Sequence, residues 1–344
     1  MAFTGRTTVY NKLTSPELIK KINPNNKALI DDYLSHISGL RSPGTIKEYR
    51  SDLRIFACYI LQYLDNKDFT AISKREFSRF QSYGMNDLGW SSDRLRRVKS
   101  VISSLSNFIE NVLDDEYPEY RASIRKIENP AKQPVREKSI FTLPEIVDVA
   151  EQLIADGKIQ IACCLMLCAA SGKRKQELSR FKVSYFDAEN IIYGSLYKTP
   201  EKIKSKGRGP GGKMLPAYVI VKTFKKYLDL WMQEREKLGI KSEWLFVVKN
   251  QDGTYDQAKG ANLDHWKEVI NKYTKQYFYW HALRHMFVTQ LKRCKIPDSV
   301  IQEIIGWETP DMVGIYNDLD ADEEIGNYFN EDGIVENTGN IKDL

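Results

Sequence analysis

Cysteine and histidine are scarce: five and four in 344 residues, with no Cys-x-x-Cys pair. That supply cannot build a disulfide scaffold or a zinc ribbon, and it fits a reducing, cytosolic compartment. Long apolar runs are missing too. The longest, Ile161 to Ala170, has ten residues, well short of the roughly 20 a helix needs to cross a bilayer. The opening stretch MAFTGRTTVYNKL has no apolar signal core, so neither a membrane partner nor a secretory route is expected. No internal repeat and no low-complexity block is visible.

Charge is abundant and unevenly placed. The net value is +5, yet residues 317–344 hold nine acidic groups and one lysine. The rest of the chain therefore carries 50 basic and 37 acidic groups, a net of +13. A basic body with an acidic tail fits a protein that binds a polyanion; a solvated surface with a loose end fits the same numbers.

Hydrophobic periodicity divides the chain further. Residues 1–26 are polar and read as an N-terminal extension with one short helix near Ser15 to Lys21. Residues 27–126 read as an all-helical domain, with Leu29, Ile30, Tyr33, Leu34 and Ile37 at helical spacing. A second helix is expected from Thr45-Ile46-Lys47-Glu48, which has a capping-box pattern. Its buried stripe is Ile46, Tyr49, Leu53, Phe56 and Ile60, with Lys47 and Arg50 on other faces. A third starts near Asp93, where Arg94, Arg96, Arg97 and Lys99 crowd the first turns. Cations there oppose the helix macrodipole, so the cluster points to a local anion, while a solvated charged face explains any one of these residues better.

Residues 127–139, with Asn129-Pro130 and Gln133-Pro134, read as an extended linker. Residues 140–316 read as a mixed domain that opens on helices, starting at Thr142-Leu143-Pro144-Glu145. Ile191 to Tyr197 and Met214 to Val221 look like strands, and the chain is helical again from about Lys222, with a loop near Asn250 to Lys259. The fold class is mainly α with a small β-sheet.

Four features of this second domain carry chemistry. Ser171-Gly172-Lys173-Arg174 follows a buried helix, with Glu177 three residues past the arginine. A basic stretch from Lys198 to Lys213 holds six Lys/Arg against one Glu. His281 and Arg284 are spaced to share a helical face. Gly306-Trp307 is followed nine residues later by Tyr316. Each alone is weak, since a surface ion pair or a mobile charged loop explains it as well.

Taken in order over about 140 residues, Arg174, a hairpin lysine, His281, Arg284, Trp307 and Tyr316 resemble the tyrosine recombinase family, the phage integrases and Cre-like enzymes. The resemblance implies an N-terminal helical core-binding domain at 27–126 and an α+β catalytic domain at 140–316. It implies that Arg174 and Arg284 clamp a phosphodiester, that Glu177 supports Arg174, and that Tyr316 attacks phosphorus. His281 would move a proton or hydrogen-bond the phosphate, and Trp307 stands where many members have His. The leaving-group acid would be a hairpin lysine: Lys206 by the register of the strand end, with Lys198 and then Lys204 as alternatives. Lys173 departs from the family, which usually has a small apolar residue before the arginine.

The chemistry suits this kit. Two guanidiniums can fork onto the non-bridging oxygens and stabilise the charge built in a five-coordinate transition state. A phenol, with an ordinary pKa of about 10, must lose its proton as it attacks. The resemblance implies no metal and no other cofactor. It implies double-stranded DNA as partner, held between two basic domains, with Lys47, Arg50, Arg94, Arg97 and Lys99 as candidate contacts. A homodimer on each site, a tetramer in synapsis, and an accessory bending or directionality factor complete the implied assembly, in a bacterial cytoplasm. The acidic tail would dock on a neighbouring subunit or stay loose. A type IB topoisomerase-like relaxing enzyme and a catalytically silent DNA-binding protein are the alternative readings.

Overall fold

The computed structural model describes residues 13–131, 139–205, 207 and 211–318, and the backbone of 329–330 and 333–334. The chain divides into two compact units near residue 138.

Among its described residues the first unit has helices and no strand: α1 (Pro16–Lys21), α2 (Pro24–His36), α3 (Pro43–Tyr63), α4 (Lys74–Asn86) and α5 (Ser92–Val112). Its core includes Leu53, Phe56 and Ile60 of α3 and Leu95, Val98, Ile102, Leu105 and Ile109 of α5, all buried. Leu13 and Ile22 belong to the same core. The expected extension is therefore part of this unit from residue 13, because its few apolar side chains are needed to close the core. α3 starts two residues before Thr45: Ser42 is the cap, its Oγ accepting from the Thr45 N–H at 3.2 Å. Pro43, with φ already helical, fits the first turn.

The second unit is mixed. α6 (Leu143–Ala155) opens it with the Thr142–Glu145 capping box. α7 (Ile159–Ser171) is buried from Ala162 to Ser171, so its apolar run is a core helix. α8 (Lys175–Leu178) is one turn. Next come β1 (Ile191–Ile192), β2 (Leu196–Lys198), β3 (Ile203–Ser205), β4 (Lys213–Leu215) and β5 (Tyr218–Ile220). β1, β2 and β5 form an antiparallel sheet in that order, and β3 pairs with β4 as a separate hairpin. The expected strand at 191–197 is thus a hairpin, broken because Tyr193 and Gly194 turn at φ +51 and +69.

α9 (Val221–Lys237) follows directly. β6 (Val247–Lys249), in the stretch read as helical, pairs as a hairpin with β7 (Tyr255–Gln257), which lies inside the expected loop. α10 (Gly260–Ile270), α11 (Trp280–Arg293), α12 (Asp298–Ile305) and α13 (Asp311–Tyr316) complete the unit. Beyond them, β8 (Phe329–Asn330) pairs with β9 (Gly333–Ile334). Apart from residues 317–318 and these two strands, the acidic tail lies outside the described residues. Among the described residues no helix is long and apolar enough to cross a membrane.

Candidate active site

α11 positions three side chains of the site. His281 stands one residue into the helix, and Arg284 and His285 follow at one-turn spacing. The His281 Nε2 and the Tyr316 hydroxyl oxygen are 2.8 Å apart and share a hydrogen bond whose donor depends on the imidazole tautomer. His285 stacks on the Tyr316 ring, centroids 4.5 Å apart and planes 23° from parallel. The Trp307 ring also packs on the tyrosine, centroids 4.8 Å apart and planes tilted by 45°. The Arg284 guanidinium lies 5.1 Å from the Trp307 ring and 5.7 Å from the Tyr316 ring, cation–π distances to both.

Arg284 is fully buried. Its Nη1 donates to the Gly172 carbonyl at 2.9 Å, while Nε and Nη2 make no hydrogen bond among the described residues. The Trp307 indole N–H is buried and equally unbonded. Burial pulls Arg284 down to about 10, and the neighbouring Arg174 charge adds to the shift. A buried guanidinium with two unanswered donors is costly unless an anion meets it.

Gly172 explains how Arg174 comes to this place. α7 ends on it in the left-handed region, φ +58. A Cβ there would stand 2.6 Å from Phe287 Cδ1 of α11, so both conformation and space require glycine. The chain then turns, and Arg174 caps α8 with 26% of its side chain exposed. Its Nη1 approaches Glu177 Oε1 at 3.3 Å and Ser205 Oγ at 3.4 Å. Glu177 Oε2 accepts from the Arg174 backbone N–H at 2.9 Å, and its Oε1 accepts from Ser205 Oγ at 2.5 Å. Burial pushes the Glu177 carboxyl up. Those hydrogen bonds and the charges of Lys173 and Arg174 outweigh burial and hold it below the usual carboxylate range.

Ser205 closes β3, immediately before Lys206, so that strand end is anchored to the arginine's carboxylate. Lys206 itself lies outside the described residues. Lys198 is exposed on β2, in the other sheet, opposite Tyr218. Lys204 is exposed on β3, where its carbonyl accepts from Arg180.

The structure therefore brings Arg174, Glu177, His281, Arg284, Trp307 and Tyr316 into one neighbourhood of a single chain. Sequence reasoning missed Ser205 and the approach of Asp318 to His285, whose Nδ1 lies 3.5 Å from the Asp318 Oδ1. A serine and an aspartate carry no spacing signal of their own.

In the first unit two arginines of the basic cluster meet a carboxylate of the chain itself. Arg94 Nη1 and Arg97 Nη2 lie 2.9 and 3.1 Å from the Oδ1 of Asp52, which is buried on α3. Arg50 pairs with Asp31 at 2.7 Å, and Lys47 is exposed. Lys99, expected to face a ligand, is buried and donates to the Ile127 carbonyl. Arg96 bonds the Pro130 carbonyl through Nε and Nη2 at 3.0 and 2.7 Å. The first residues of the expected linker are thus fastened to α5; residues 132–138 lie outside the described residues.

Residues 141–323 match the family model described as the phage integrase family, and the chain belongs to that family. It is a tyrosine site-specific recombinase. The SPbeta prophage-derived recombinase-like protein YomM of Bacillus subtilis (strain 168) is 30% identical over 233 residues, covering 67% of each chain. A tyrosine recombinase of Thermosipho africanus (strain TCF52B) is 24% identical over 302 residues, 86% of this chain and 95% of that one. In fold, the chain is similar to lambda integrase, solved as a dimer bound to a core site, with TM-score 0.61 and 14% identity over 90% of this chain and 98% of that one.

Proposed function

We propose that the protein cuts and rejoins duplex DNA at specific sites through a 3′-phosphotyrosyl link to Tyr316. The observation that carries this reading is the packing of the Tyr316 hydroxyl against His281 Nε2 at 2.8 Å, beside a buried Arg284 with two donor atoms unbonded among the described residues. A backbone phosphate is the anion whose forked geometry suits Arg174 and Arg284 together. Trp307 can add its indole N–H and shield the phosphotyrosine from water.

The Tyr316 proton leaves as the oxygen attacks phosphorus, with His281 within reach to receive or relay it. The 5′-oxygen departs and takes a proton from a lysine. Ser205, tied to Glu177 beside Arg174, supports the Lys206 register over Lys198. Because the ester bond to tyrosine keeps the energy of the broken phosphodiester, rejoining needs no ATP. Arginines supply the charge stabilisation, so the scheme calls for no metal.

By likeness to the lambda integrase dimer on its core site, the protein would act as a dimer on each DNA site and as a tetramer in synapsis. An accessory directionality factor and a cytoplasmic setting belong to the same reading. Nicked suicide duplexes with a randomised core, captured on denaturing gels and enriched over rounds, test it. Wild-type protein is expected to give a covalent adduct that Tyr316→Phe abolishes. No adduct from any pool would overturn the reading.

A further inference from the structure

Lys173, next to Arg174 in the turn after α7, is held by groups from distant parts of the second unit. It is buried, 5% exposed. Its Nζ donates to the Ile304 carbonyl of α12 at 3.1 Å, across 131 residues of chain. It shares with Glu177, Ser205, Leu215 and Ile305 the lining of a cavity of about 10 Å³, room for at most one water. The charged groups facing it are Glu177 of α8, Arg174 at the cap of α8 and Arg284 of α11.

The bond to Ile304 falls at a helix end. α12 stops at Gly306, in the left-handed region at φ +81, and its last carbonyls have no partner within the helix. A cation at a helix C-terminus is favoured by the macrodipole as well as by the hydrogen bond. The residue after Gly306 is Trp307, and α13 then brings Tyr316 back over Arg284. Whatever holds the end of α12 therefore sets where the indole and the phenol stand relative to the arginines.

We propose that Lys173 is a positioning residue for strand cleavage: its buried ammonium ties the Arg174–Glu177 turn to the end of α12 and so registers Trp307 and Tyr316 over the arginine pair. This rests on the reading of Tyr316 as nucleophile. Glu177 balances the ammonium and also holds Arg174, so loss of the Lys173 charge would release Glu177 to bind Arg174 more tightly, away from a phosphate. Burial, opposed by Glu177 and assisted by the two arginines, brings the Lys173 amine down to about 8.

The test uses the duplex enriched by wild-type capture, with a 5′-bridging phosphorothiolate at the scissile position. A thiolate leaves without a proton, so the acid lysine drops out of the pH profile. Adduct rates are measured from about pH 6.5 to about pH 9.5 for wild type, Lys173→Met and Lys173→Arg, with DNA Kd and Tm for each. Lys173→Met is expected to slow cleavage about ten-fold or more near pH 7 with Kd within about two-fold. The ratio to wild type should shrink as pH passes about 8, where the wild-type amine loses its proton. Lys173→Arg should recover part of the rate and keep it at alkaline pH.

Wild-type rate in Lys173→Met, or a ratio that does not change with pH, would overturn the proposal and leave Tyr316 as nucleophile standing. Should Lys173→Met not fold, the wild-type and Lys173→Arg profiles decide. An alkaline loss in the first that is absent from the second supports the role; parallel profiles overturn it.

Discussion

The Tyr316 hydroxyl oxygen lies 2.8 Å from the Nε2 of His281, and both belong to the same chain as the buried Arg284 beneath them. The proposed nucleophile, housed with an arginine of its own chain, predicts cleavage in cis. Mixing Tyr316→Phe, which keeps the arginines, with Arg284→Ala, which keeps the tyrosine, is expected to give no adduct above either variant alone. Adduct appearing only in the mixture would show that tyrosine and arginine come from different subunits.

Arg174 and Arg284 differ in burial, but neither is a large part of a surface that carries a net of +13 outside the tail. Arg174→Ala and Arg284→Ala should each cut adduct formation by about 1,000-fold or more while changing DNA Kd by less than about ten-fold. Gel-shift titration beside single-turnover cleavage measures both. Parallel losses of binding and cleavage would count against the clamp.

Ser205 fixes the end of β3 to Glu177 beside Arg174, whereas Lys198 lies in the other sheet. Lys206→Ala should therefore slow cleavage of an ordinary phosphodiester by about 100-fold or more, and Lys198→Ala by less than about ten-fold. A 5′-bridging phosphorothiolate should restore Lys206→Ala, because its leaving group needs no acid. The reverse ranking would move the acid to Lys198.

Asp52 gives a pH signature in the first unit. Burial raises its carboxyl from an ordinary 3.8 to about 6, against the pull of Arg97. A raised acid pKa means that the fold favours the protonated form. The stabilisation is full below about pH 4 and is lost as pH rises through about 6. Asp52→Asn should gain stability relative to wild type over that window, by up to about 3 kcal/mol, in denaturant titrations at each pH. A constant difference from pH 4 to pH 7 would refute the shift.

Much of this arrangement was legible in the chain. α5 carries its five-residue apolar stripe where period 3.6 puts it, and Gly172 ends α7 as a helix-stopping glycine should. His281 and Arg284 meet because three residues are almost one helical turn. The partners of the basic cluster were not legible. Arg94 and Arg97 find Asp52 more than 40 residues away, a choice made by how α3 packs on α5. Lys99 looks like a surface cation in sequence, yet its aliphatic stem is buried and its amine serves a backbone carbonyl. β6 and β7 escaped notice because three residues are too few to show a period of two. Lys173 was visible as an oddity, but only the fold shows the carbonyl it reaches.

α11 works as a ruler for half of the proposed site. Because His281, Arg284 and His285 hang from one continuous helix, their angular spacing is set by the backbone and not by loops that could adjust. Adding a single residue between His281 and Arg284 would swing one against the other by about 100°, and no neighbouring segment could turn it back. Length changes in this protein should therefore collect in its connecting turns and be absent from those fourteen residues.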